Sequence, residues 1–80
     1  MSNTIKLQFP IESEGQTVEE VTLRRPTVGD MLHADRGKGS EADKEIHMFS
    51  NLTELSLTAM ELLDLSDYRK LQEAYQGFLS

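Results

Sequence analysis

Eighty residues with 14 acidic and 8 basic side chains, a net charge of −6, give room for one domain spanning 1–80. That balance excludes duplex DNA, RNA and anionic membrane surfaces as expected partners, because each demands clustered Lys and Arg. Hydrophobic residues are 38% of the chain and Cys is absent, so there is one lean core, no thiolate or Cys-based zinc chemistry, and a preference for a reducing compartment. No basic-then-apolar leader opens the sequence and the apolar runs are short, so neither a signal peptide nor a membrane span is expected.

Taken in chain order, Thr4 to Phe9 alternates, with Ile5, Leu7 and Phe9 on one face and Lys6 and Gln8 on the other. Period two predicts a half-buried strand, which Pro10 should end because it cannot donate to a ladder. Ser13-Glu14-Gly15-Gln16 reads as a tight polar turn. Thr17 to Arg24 resumes the pattern through Val21 and Leu23; Val18 has the opposite parity, which predicts a bulge or a late strand start. The two runs predict an antiparallel hairpin over about 4–24.

Pro26 holds Arg25 extended, and Thr27 followed three residues later by Asp30 makes a capping-box pattern. A short helix from Val28 to Asp35 should bury Val28, Met31 and Leu32, and Gly37-Lys38-Gly39 should stop it. Ser40 opens a second helix to about Leu55, with a stripe of Ala42, Ile46, Phe49 and Thr53 widened by Leu52. Thr58 and Glu61 suggest a capped short helix through Leu63. Asp64 and Asp67 start the last helix, whose stripe is Leu65, Tyr68, Leu71, Tyr75 and Phe78. The expected fold is α+β: an N-terminal antiparallel β-hairpin followed by a small bundle of three to four α-helices over about 28–79.

The chemistry of catalysis is missing. His33 and His47 lack converging partners, and Gly37-Lys38-Gly39 has neither phosphate-loop spacing. No enzyme, metal or cofactor is therefore expected, and binding is left. Met31, Met48 and Met60 either fill core gaps or form a soft, adaptable contact surface. Arg24 and Arg25 either pair with carboxylates of this chain or grip an acidic partner. The C-terminal aromatic stripe exceeds what a hairpin and short helices should cover. The candidate partner-binding residues are Met60, Leu63, Tyr75, Phe78, Leu79, Arg24 and Arg25.

Ile5-Lys6-Leu7, Pro10-Ile11-Glu12, the run from Val21 to Asp30 with its Leu-Arg-Arg-Pro-Thr-Val-Gly-Asp core, Leu52-Thr53-Glu54-Leu55, the run from Leu63 to Tyr68 and the closing Phe78-Leu79 occur in an order and spacing that resemble the phage tail assembly chaperones of the Mu-like and E-protein group, from contractile-tailed phages. That resemblance implies a chaperone of the host cytoplasm, absent from the finished virion. It would coat the tape measure protein and keep it soluble while the tail tube polymerises around it. The tail tube protein is a second candidate partner, and self-association is expected. The alternatives are an acidic regulatory protein that mimics nucleic acid and a structural tail subunit.

Overall fold

The computed structural model describes residues 2–80. Strand β1 (Ser2–Ser13) pairs antiparallel with β2 (Gln16–Arg24), and four helices follow: α1 (Val28–Asp35), α2 (Glu41–Thr53), α3 (Leu57–Leu62) and α4 (Leu65–Leu79). The α+β expectation, a hairpin and then a helical part, holds.

Glu14 and Gly15 take φ of 53° and 78°, the paired positive values that a type I′ hairpin loop requires between Ser13 and Gln16. Pro10 does not end β1. Pairing runs Ser2↔Arg24 to Lys6↔Glu20, breaks, and resumes at Ile11↔Val18, so residues 7–10 lie opposite Glu19 alone. This bulge accommodates a residue without an N–H inside the strand. It also settles the parity problem at Val18, because the irregularity lies on the facing strand and brings Val18 opposite Ile11. Leu7 and Ile11 are buried, whereas Phe9, expected on the inner face, is 51% exposed because the bulge breaks the alternation.

The bulge leaves backbone amides off the ladder. Those of Gln8 and Phe9 donate to Oδ1 and Oδ2 of Asp67, each at 3.0 Å. Asp67 lies in the first turn of α4, is 0% exposed, and also receives Lys70 Nζ at 3.2 Å. Burial pushes its carboxyl up, and the two amides and the Lys70 ammonium more than reverse this, so its pKa lies below the ordinary Asp value. One side chain thus fastens the last helix to the first strand.

Thr27 caps α1 as expected: its hydroxyl accepts from the Asp30 amide, and Asp30 accepts from the Thr27 amide. Arg24 grips both oxygens of Asp30 at 2.8 Å, which ties the end of β2 to the start of α1. That hydrogen-bonded guanidinium is the first cause holding the Asp30 carboxyl far below its ordinary range. Thr27→Ala should cost about 1 kcal/mol of stability, read as a lower urea midpoint with an unchanged slope.

Three helix expectations need correction. Val28, Met31 and Leu32 are 70%, 53% and 44% exposed, because α1 turns Ala34 inward and packs chiefly on α2. α2 stops at Thr53, where Glu54 takes φ of 63°, short of Leu55. α3 is capped by Ser56, whose hydroxyl accepts from the Ala59 amide, so Thr58 lies inside the helix. In the loop between α1 and α2, Gly39 adopts φ of 112°, and a Cβ there would stand 2.7 Å from Asp43 Oδ2, so only glycine fits.

The core lies between the hairpin and α2, α3 and α4, and is built from Leu7, Ile11, Val21, Leu23, Phe49, Leu52, Ala59, Met60 and Leu71. Phe49 is fully buried at its centre, with the Tyr68 and Tyr75 rings tilted against it at 5.6 and 5.5 Å.

Candidate protein-interaction surface

Two of the grooves beside α2 carry methionine in their lining. The first lies between α1 and α2, has a volume of about 230 Å³, and is floored by Met31, Met48, Phe49 and Tyr75. Its rim carries Asp35, Glu41 and Glu45, and no Lys or Arg lines it. Glu45 is held in place: Tyr68 Oη and Gln72 Nε2 both donate to its Oε1. Burial first, and then this carboxylate, raise the Tyr68 pKa well above that of an ordinary phenol. Both donors are neutral, so the charge on Glu45 stays uncompensated.

The second groove, of about 320 Å³, is lined by Ile46, Met60, Leu63, Leu65 and Tyr68, with Glu61 beside them. Leu65 was expected on the inner stripe of α4; it is 63% exposed because it follows directly on the Asp64 cap, and Leu62 nearby in sequence is 54% exposed.

The structure distributes the residues singled out from sequence over four places. Met60 is only 4% exposed and belongs to the core, from which it lines the second groove with half-buried Leu63. Tyr75 is half-buried in the floor of the first groove. Arg25 stacks on Phe78, its guanidinium carbon 5.6 Å from the ring centre, and Leu79 beside Phe78 in sequence is 60% exposed. Arg24 is engaged with Asp30, the pairing within the chain that was the alternative to gripping a partner. Met31 and Met48 come together with Tyr75, while the acidic rim around them was not foreseen. Its only sequence signal is Asp35, Glu41 and Glu45 placed either side of the Gly37–Gly39 loop, which gives no hint that they converge on one cleft.

Among the described residues no group of three His, Asp or Glu side chains is placed to hold a metal ion. No helix among them is long and apolar enough to cross a membrane.

An acidic α+β module with exposed apolar side chains has the character of a protein-binding unit, and the sequence comparisons place it in a family of that kind. The chain belongs to the phage tail assembly chaperones: the model of the family described as "Phage tail assembly chaperone proteins, E, or 41 or 14" matches residues 4–80. Among its relatives is "Tail assembly protein E" of Escherichia phage P2, which is 33% identical over 82 aligned residues, covering 98% of this chain and 90% of that protein. No solved structure matches.

Proposed function

We propose that this chain binds the tape measure protein of its phage in the host cytoplasm and keeps it soluble while the tail tube forms, without entering the finished virion. The observation that carries this reading is the family match along nearly the whole chain, 4–80. The surface is in keeping with it. Val28, Met31, Leu62, Leu65 and Leu79 are all more than half exposed, a share of apolar surface suited to holding an apolar client. The net charge of −6 limits aggregation of the chaperone itself. Many weak contacts from many copies along one client act through avidity. The chain works by binding and not by catalysis. The tail tube protein is a second candidate partner, and copies of the chain associate on the client.

Co-expression tests it. The tape measure protein of the same phage is produced with and without the tagged 80-residue chain. The expected result is a shift of the client into the soluble fraction and its co-purification with the tag. A client that stays insoluble and is not retained removes this function from the chain.

A further inference from the structure

We propose that the groove between α1 and α2 is the docking site for a cationic amphipathic helix, which seats an apolar side chain between Met31 and Met48 and sets Lys or Arg against Asp35, Glu41 and Glu45. The inference rests on the chaperone reading only for the identity of the natural partner, a segment of the tape measure protein.

The shape of the occupant follows from what the groove lacks. Both walls are helices whose interior amides and carbonyls bond within the helix, so neither wall offers a free strand edge. An extended segment laid there would leave its own backbone groups without protein partners. A helix brings its backbone already satisfied and presents side chains only. The apolar surface has the matching form. Val28, Met31 and Leu32 stand at spacings of three and four on α1, all exposed, and Met31 carries this stripe into the groove floor beside Met48, Phe49 and Tyr75. Two methionines in the lining adapt to differing apolar side chains.

Charge fixes the sign of the occupant. Three carboxylates stand on the rim and no basic residue lines the cleft. Glu41 meets Lys44 only at 3.9 Å, the outer limit of an ion pair, with the Glu41 side chain 97% exposed. Among the described residues neither Asp35 nor Glu45 has an ion-pair partner. Glu45 is in addition held by Tyr68 and Gln72, so it offers its charge at a fixed position. A second copy of this chain, with net charge −6, is a poor electrostatic match for such a rim, whereas a helix bearing Lys or Arg beside its apolar face is a good one.

The test uses the full chain and a synthetic amphipathic helical peptide with Leu on one face and Lys on the other. A control peptide has Glu in place of every Lys. Methyl resonances of Met31 and Met48 should shift on adding the Lys peptide, and the Glu peptide should bind at least about tenfold more weakly. Asp35→Lys with Glu41→Lys should weaken the Lys peptide by about tenfold, and Met31→Ser should also weaken it, with both variants still unfolding cooperatively because these side chains are exposed. Equal binding of both peptides overturns the assignment. So does a shift pattern centred on the Ile46–Leu65 groove, or a double variant that binds normally. Concentration-dependent shifts at Met31 and Met48 without peptide, and no peptide binding, would make a second copy the occupant and also overturn it. Repeating the capture of the tape measure protein with the same variants separates the two readings. Peptide binding without any client capture removes the chaperone function and leaves the groove assignment standing. Client capture that survives loss of peptide binding places the client elsewhere and overturns the assignment.

Discussion

Asp67→Ala should cost about 2–4 kcal/mol of folding stability, because it leaves two part-buried backbone amides without their acceptor. An 80-residue chain has roughly 4–12 kcal/mol in total at the usual stability per residue, so this one change removes a large share of it. Asp67→Asn is the more informative variant. It keeps the shape and one acceptor oxygen, but its amide nitrogen faces one of the two N–H donors and the charge is gone. It should retain a cooperative urea transition with a midpoint well below that of the parent chain. The pH dependence has a definite sign. The pKa of Asp67 is depressed in the folded chain, so its contribution is complete above the unfolded value near 3.9 and is lost as pH falls through the folded value. Asp30, gripped by Arg24, acts in the same direction. The parent chain should therefore lose stability below about pH 4, and Asp67→Asn should show a shallower loss over the same range. An Asp67→Ala urea midpoint equal to that of the parent would mean that the clamp contributes nothing.

Phe49→Ala is the second large effect. Its side chain is fully buried and touches two aromatic rings, so truncation removes about 3–5 kcal/mol through lost transfer energy and the cavity left behind. Phe49→Leu keeps most of the volume and should cost no more than about 1.5 kcal/mol apart from the two aromatic contacts, each adding about 0.5–1.5 kcal/mol. Near-ultraviolet circular dichroism of Phe49→Leu should show a reduced tyrosine signal, because Tyr68 and Tyr75 both rest on that ring. An unchanged signal would mean that the tyrosines are ordered by other contacts.

These two residues differ in how far sequence reveals them. Phe49 is legible: it falls on the apolar stripe of a helix that the sequence starts at Ser40, and stripes of that spacing face cores. The hairpin is legible for the same kind of reason, since alternation and a Glu14-Gly15 turn are local patterns. Asp67 is not. In the sequence it is an acid in a first helical turn, a common surface device, and its true partners lie 59 and 58 residues away. Only the bulge creates a need for it, and the bulge is concealed by Pro10, which reads as a strand end. The burial of α1 was misjudged on similar grounds. Val28, Met31 and Leu32 form a proper stripe, but a stripe states only that something can cover it, and among the described residues nothing buries it. The candidate contact residues were chosen from such stripes, which explains why Met60 is in the core and why the acidic rim of the α1–α2 groove, assembled across a loop, escaped notice.

The Asp67 clamp has a consequence for polymerisation. A two-stranded sheet has an open border on each side, and a border with free amides recruits further strands. Along β1, position 10 has no amide proton and the amides of Gln8 and Phe9 are already committed to a carboxylate. An incoming strand therefore finds fewer free donors in the middle of the longer strand. The contact that closes the fold also disfavours edge-to-edge pairing along this border. Asp67→Asn should thus show turbidity under conditions where most of it is still folded.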